Sequence, residues 1–279
     1  MSRLKFMSTR PPFPFDSTFR LVEPPAPSWH IGDGLPDVSK HWAEGVMESP
    51  RKSWDLTDPK ITKESYRLLT SAIIPRPIAL VSTLSQDGEP NLAPFRWTAI
   101  PLFLSVSHNP PMVSLSFSLS TRRPKDTRNN ILATKEFTVS IISEAFAEAA
   151  NSASVESPAD SDEWIISGLR KEDSTLVKPP FVKESAIGME CQLYSSQDIT
   201  PSGSPEPSTT IVLGLIKKIH VREAVLNEDG MTIDPAKLRP IARLGGTTYG
   251  RLLEGFDLSR ISWKSIRDLY PDISRGDRL

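Results

Sequence analysis

The sequence predicts a mainly β fold with helices, a β-barrel carrying helical decoration. Three observations predict it. Short segments of strand character recur from Ile78 to Val221, and few segments carry helical spacing. No alternation of strand, helix and strand, the mark of a parallel α/β sheet, runs through the chain. No internal repeat of about 20–50 residues points to a solenoid or propeller instead.

Residues 1–60 read as an N-terminal extension, with Pro24, Pro25, Pro27, Pro36, Pro50 and Pro59 spread through it. Trp29, Trp42 and Trp54 are too many large apolar side chains for a solvated tail. Two readings stay open: a coil that lays its tryptophans on the globular body, or a lid or arm over a site or partner subunit. Residues 61–255 read as one domain and 256–279 as a C-terminal tail.

Within the domain, Thr62 caps a helix to Ser71 with Tyr66, Leu69 and Ile73 on one face, and Pro75-Arg76-Pro77 stops it. Ile78 to Leu84 is a strand rich in aliphatic residues, turned by Gln86-Asp87-Gly88. Strands are expected at Leu92 to Ile100, Leu102 to Val106 and Met112 to Phe117. Pro124 to Thr134 reads as a helix and Glu136 to Ile142 as a strand, followed by a helix from Ser143 to Ala153 with Phe146 and Ala150 inward. Two longer strands come late, Ala186 to Tyr194 and Thr209 to Val221, and a short helix covers Asp234 to Leu238. Pro201, Ser202, Gly203, Ser204, Pro205 and Pro207 mark the loop between the long strands as irregular.

Composition narrows the function. Lys+Arg 33 against Asp+Glu 34 leaves a net charge of -1 over 279 residues. That balance gives no bulk attraction to nucleic acid or to an anionic membrane, so any anion site must be local. No apolar run approaches membrane-spanning length. The single Cys191 allows no intrachain disulfide, and no Asn-x-Ser/Thr acceptor occurs, which together favour a reducing, cytoplasmic setting. Arg3, Lys5, Arg10 and Arg20 against Asp16 faintly suggest a transit peptide, but Pro11, Pro12 and Pro14 interrupt any amphipathic helix there.

Two short stretches carry chemistry. Thr121-Arg122-Arg123-Pro124-Lys125-Asp126-Thr127 opens a helix. The free N–H groups of a helix start favour a phosphate, Thr121 and Thr127 offer hydroxyls, and Arg122, Arg123, Lys125 and Arg128 offer charge. The plain alternative is an ordinary helix with a solvated basic edge. The other stretch, Asn91-Leu92-Ala93-Pro94-Phe95, holds a proline within a strand and so belongs at a sheet edge or bulge. Such an edge leaves backbone groups free to read a heterocycle, and Phe95 and Trp97 would either pack on its ring or fill core. Together the two stretches outline a site for a flat ring with a phosphate tail, as in flavin mononucleotide.

These residues also resemble a family. Ile74-Pro75-Arg76-Pro77-Ile78, Val81-Ser82-Thr83, Asp87-Gly88, Asn91 to Phe95, Asn109-Pro110-Pro111-Met112-Val113 and Lys125-Asp126-Thr127 are similar, in order and spacing, to flavin reductase-like proteins. Glu136-Phe137, Val177-Lys178-Pro179-Pro180 and Arg243-Leu244-Gly245-Gly246-x-x-Tyr249 extend the likeness over roughly 65–251. The extension with Trp29 and Gly32-Asp33-Gly34 resembles that of fungal members. The resemblance implies an FMN-binding split β-barrel, a homodimer with FMN near the subunit interface, and relatives that include NAD(P)H:flavin reductases and flavoredoxin-like proteins.

Carried onto this chain, the resemblance implies that the flavin ring lies against the backbone of Ala93, Pro94, Phe95 and Arg96, near Thr83, Asn91 and Trp97. It implies that the phosphate meets Thr121, Arg122, Lys125, Asp126 and Thr127, with Asp126 capping rather than touching it, and that Tyr249 reaches the same region. His220 would stand near the nicotinamide, the plain alternative being an exposed strand-end histidine. Where the family commonly continues with serine and an aromatic pair, this chain has Arg96-Trp97-Thr98. Arg96 would pair with the phosphate, bind an acidic substrate, or fill the site.

No Gly-x-Gly-x-x-Gly or Walker loop is present, so a nicotinamide donor would bind transiently. There is no Gly-x-Ser-x-Gly elbow, and His30, His41, His108 and His220 lack metal-ligand spacing. Cys191 reads as a buried small hydrophobe. The expected function is FMN-dependent hydride transfer from NAD(P)H to a small-molecule acceptor, or delivery of reduced flavin to a partner monooxygenase. Two alternatives stand beside it. One is an enzyme on the same fold with tightly held FMN and its own substrate, and the other is a non-catalytic binder of a planar ligand.

Overall fold

A computed structural model describes residues 10–36, 43–56, 62–95, 103–119, 125–155 and 161–267. The chain divides into two compact units, Thr62–Leu252 and a smaller one drawn from Met1–Ile61 and Leu253–Leu279. In the smaller unit the strand Arg20–Leu21 runs parallel to Glu254–Gly255, with Arg20 Nε donating to Glu254 at 2.9 Å. The same unit holds a π-helical turn, Ala43–Met47, and a short helix, Trp263–Ile266.

The larger unit begins with α1 (Thr62–Ala72), β1 (Arg76–Pro77), β2 (Ala79–Leu84) and β3 (Pro90–Phe95). The hairpin between β2 and β3 turns at Gly88, whose φ of 88° suits glycine. Next come β4 (Phe103–His108), β5 (Pro111–Ser118), α2 (Asp126–Thr134) and β6 (Glu136–Ile141). A tight helical turn, Glu144–Phe146, leads into α3 (Ala147–Ser152), and α4 (Glu163–Ser167) follows. A small hairpin of β7 (Lys171–Glu172) and β8 (Phe181–Val182) precedes the long pair β9 (Ile187–Ile199) and β10 (Thr209–Val221). α5 (Pro235–Leu238), β11 (Ile241–Arg243) and β12 (Tyr249–Arg251) complete the unit.

Seven of these strands form one antiparallel sheet in the order β3-β2-β6-β9-β10-β5-β4, and β12-β11-β1 form a second, smaller sheet. Phe95 on β3 and Phe117 on β5 stand five strands apart in that order. In a flat sheet they would be about 24 Å apart. Their rings instead meet edge to face at 5.1 Å between centroids, so the sheet curls into a barrel. The end strands β3 and β4 are not paired with each other among the described residues.

Side chains alternate across this sheet with period two. The inner set includes Ala79, Val81, Phe95, Leu115, Phe117, Phe137, Val139, Met189, Cys191 and Val212, closed at one end by Ile131 of α2. The outer set from β2 and β3, Leu80 and Leu92, packs under Phe146, Ala150, Trp164 and Val182. Both faces of β2 are therefore buried, which is why it is rich in aliphatic residues on both and its Ser82 and Thr83 are buried too. Gly214 on β10 lets Phe137 sit against the backbone; a Cβ there would lie 2.2 Å from the ring.

Some expected elements differ. α1 does not bury Leu69 and Ile73, which are 41% and 61% exposed; the helix seats through Thr70 instead, which is 9% exposed. The reason is polar. The Arg76 guanidinium donates to the Thr70 carbonyl at 2.6 Å, and Gly245 packs its backbone against Thr70 and Ser71. The helix expected over Ser143–Ala153 is split into a tight turn and α3, with Phe146 and Ala150 buried as expected. β9 runs five residues past Tyr194 because its polar half stays paired with β10 as far as Ile199 opposite Thr209. The expected strand over Leu92–Ile100 is described only to Phe95, and Pro124 lies outside the described residues.

Candidate functional site

Strand β3 ends the sheet and, among the described residues, pairs on one side only, with β2, so part of its backbone has no strand partner among them. That is the edge position its Pro94 requires. At its start a compact polar cluster joins β3 to α2 and α4. Thr127 Oγ1 donates to Asn91 Oδ1 at 2.8 Å, and the Asn91 amide donates to Glu163 at 3.3 Å. Asn130 of α2 donates to Thr83 Oγ1 at 3.0 Å, and Thr83 stands 3.4 Å from Asn91 Oδ1. Thr83 and Thr127 are buried, so these bonds are made away from water, where an unmade one is costly.

The cluster fixes where α2 begins. Lys125 occupies the cap position with no side-chain cap bond, and Asp126 follows as the first helical residue, exposed. Among the described residues no capping side chain closes off the first-turn N–H groups. Arg128 is committed elsewhere: its Nε donates to Thr210 at 2.7 Å and its Nη2 pairs with Asp198 at 3.2 Å. Its charge is therefore held by the β9–β10 hairpin rather than solvated along a basic edge. The Asp198 carboxyl is held below its usual range by the Thr210 hydroxyl and then by Arg128.

Further along β3, Ala93 and Pro94 are half-buried and Phe95 is buried in the barrel interior. Pro94 lines a shallow recess with Tyr249, Asn151 and Ile241. The Tyr249 hydroxyl lies 2.8 Å from Asn151 Oδ1, and the Arg243 guanidinium stacks over the tyrosine ring at 4.3 Å. Arg96, Trp97, Thr121, Arg122 and Arg123 lie outside the described residues.

His220 belongs to a different place. Strand pairing runs Pro94, Leu80, Ser140, Gly188, His220, four strand spacings or about 19 Å along the sheet. It shares the outer face with Gly188 and Glu190, whereas Thr83 and Asn91 share the parity of the inner set. The structure thus unites Thr83, Asn91 and Thr127 but separates His220 from them. His220 Nε2 lies 2.6 Å from Glu190 Oε1, and its ring stacks on Phe181 at 5.0 Å. Glu190 is fully buried and also accepts from Thr175 N and Oγ1, Leu176 N and Val177 N. Burial alone would raise its pKa, but the bonds from His220, Thr175 and Leu176 outweigh it and bring the value down to about 2. Burial and then the Glu190 charge push the neighbouring Cys191 thiol up, so it stays protonated.

The profile of the Flavin reductase like domain matches residues 71–241. The chain belongs to the flavin reductase like family. Nitrilotriacetate monooxygenase component B of Bacillus cereus superposes with a TM-score of 0.69 at 31% identity, covering 75% of this chain and 100% of that one. A Shewanella frigidimarina protein described as having a split barrel domain superposes with a TM-score of 0.62 at 23% identity, covering 77% of this chain and 99% of its own. An uncharacterised protein of Halalkalibacterium halodurans is 35% identical over 199 residues, 71% of this chain and 91% of its own length. The curled sheet of this flavin reductase like domain is accordingly a split barrel, mainly β with helices. No described helix of it is long and apolar enough to cross a membrane.

Sequence reasoning missed several residues of this flavin reductase like chain. Asn130 and Glu163 complete the Asn91 cluster, yet neither lies in a motif and Glu163 sits 72 residues from its partner. Glu190 was findable: an acid inside the run Ile187-Gly188-Met189-Glu190-Cys191 has to be paired or to cap something. What it caps, the loop at Thr175 to Val177, is set only by the fold.

Proposed function

We propose that the chain is an FMN-dependent oxidoreductase that takes hydride from NAD(P)H and hands it on, to a small-molecule acceptor or through reduced flavin to a partner monooxygenase. One observation carries this reading: the Asn91–Thr127 hydrogen bond fastens the edge strand β3 beside the start of α2, which no described side chain caps. A strand edge offers donors and acceptors to a planar heterocycle, and a helix start offers N–H groups to a phosphate. The two donor sets required by a ring with a phosphate tail are therefore neighbours, so the residues present fit the group.

In this reading the backbone of Ala93, Pro94 and Phe95 lines the ring, and Lys125, Asp126 and Thr127 hold the phosphate through first-turn N–H groups and the lysine charge. Thr83, Asn91 and Asn130 act one step behind, fixing β3 against α2. Arg96, Trp97, Thr121 and Arg122 flank these elements in sequence and add cation, aromatic surface and hydroxyl. Tyr249, beside Pro94, bounds the far end. Flavin, when bound, supplies the hydride chemistry, and the chain supplies binding, orientation and electrostatics. A second copy covering the exposed Leu69, Ile73 and Ile74 would complete a homodimer.

The test is the visible spectrum of the purified protein, then anaerobic addition of NADH and NADPH. Flavin bands that bleach support the reading and name the donor. Bands that persist favour an enzyme with its own substrate or a binder, and a protein that stays colourless with added FMN rejects the flavin reading. The Asn91→Ala variant is expected to bind FMN about tenfold more weakly, the effect of one or two lost buried hydrogen bonds at the cluster.

A further inference from the structure

The outer face of the barrel carries a cleft of about 600 Å³, lined by Glu172, Phe181, Ala186, His220, Arg222 and Glu223 among others. Its floor is rigid for a local reason. Phe181 lies flat on Gly188, where a Cβ would come within 2.9 Å of the ring, and His220 stacks on the same phenyl group at an interplanar angle of 20°. Behind the floor Glu190 is fully buried and accepts from the 175–177 loop and from His220 Nε2. Lys218 donates to Thr175 at 2.9 Å and so faces the loop rather than the cleft.

The Glu190 contact holds one imidazole nitrogen and leaves the other, Nδ1, with no hydrogen-bond partner among the described residues. A carboxylate behind an imidazole fixes its tautomer and faces the positive charge that the ring takes on when it accepts a proton. Arg222 donates to Glu172 at 2.6 Å and to the Lys183 carbonyl at 3.1 Å, so it offers N–H groups while its charge is already balanced. Glu223 adds a negative charge to the cleft lining, which disfavours polyanions. Among the described residues no three His, Cys, Asp or Glu side chains gather to hold a metal.

We propose that this cleft is a second small-molecule site, which takes a planar weak acid such as a phenol or an aromatic carboxylic acid as its monoanion. The ligand ring packs beside Phe181 and Val221. A phenol passes its acidic proton to His220 Nδ1, whereas a carboxylic acid arrives ionised and Nδ1 takes its proton from water; either way an anion lies beside an imidazolium with Arg222 as second donor. In the proton transfer the O–H bond breaks with its electron pair left on oxygen, an N–H bond forms at Nδ1, and nothing is oxidised or reduced. Glu190 is a positioning residue. The polyanionic tail of a dinucleotide does not suit this lining, so the site is distinct from the hydride-transfer site proposed above.

The probe is 4-nitrophenol, whose absorbance distinguishes phenol from phenolate, titrated into the full chain without flavin or nicotinamide at a fixed pH below the phenol's own midpoint. The expected result is saturable binding with growth of the phenolate band. His220→Gln should abolish that band and weaken binding at least about tenfold, the effect of a lost charge-assisted hydrogen bond. Arg222→Gln, at an exposed position that leaves the fold intact, should weaken binding several-fold and keep the band. Glu190→Gln, if folded, should bind with the band displaced to higher pH in its pH profile. No saturable binding, or binding equal in wild type, His220→Gln and Arg222→Gln, overturns the proposal. So does displacement of the probe by NADH, which would make the cleft a dinucleotide site.

Discussion

Glu190 has five donors around one buried carboxylate, and its worth is readable as a function of pH. Its folded pKa of about 2 lies below the ordinary 4.5, so the stabilisation is complete above 4.5 and is lost as pH falls from there toward 2. At about 1.4 kcal/mol per unit the gain above that window is about 3 kcal/mol. Glu190→Gln should therefore unfold in urea with about 3 kcal/mol less stability at neutral pH, and the gap to wild type should narrow as pH drops toward 2. A gap that does not change with pH would mean that the charge is not what holds the loop. A second residue-scale expectation concerns Gly214, whose absent side chain makes room for Phe137. Gly214→Ala should cost about 1–3 kcal/mol by overpacking, read as a lower denaturant midpoint with unchanged m-value.

At the scale of elements, α2 is held from two directions. Thr127 and Asn130 bind it to β2 and β3, and Arg128 binds it to the β9–β10 hairpin. It ends on Lys135 in the left-handed region at φ 66°, a conformation that glycine adopts without cost. Lys135→Gly should accordingly raise stability by about 0.5–1 kcal/mol by thermal or urea unfolding, the exposed bond from Lys135 Nζ to the Leu132 carbonyl being the smaller effect. Much of this was legible in advance. Strands with period-two or aliphatic-rich character, the Asp87-Gly88 turn and the edge position of Pro94 follow from local chemistry, and so does the buried strand position of Cys191. What was not legible depends on distant partners. The face that α1 turns inward is chosen by Arg76 and Gly245 rather than by its own apolar residues, and the short α4 and β7–β8 pieces have too few residues to show a period.

For the whole molecule, the curled sheet brings the first and sixth strands into ring contact and leaves its two end strands unpaired with each other among the described residues. Sequence supplied the strands and their hydrophobic faces. The degree of curl is a collective property of twist and packing that no single segment encodes. Exposed Leu69 on α1 and Ile73 just past its end give a molecular-scale expectation: light scattering should report a dimer, and Leu69→Glu with Ile73→Glu should return it to a monomer without unfolding. Cys191, the chain's one thiol, is walled in by the barrel interior and kept protonated. An alkylating reagent can reach it only when the barrel opens, so its labelling rate is a clock for opening events. Followed against urea, that rate would give the free energy of opening in the native protein with no engineered probe.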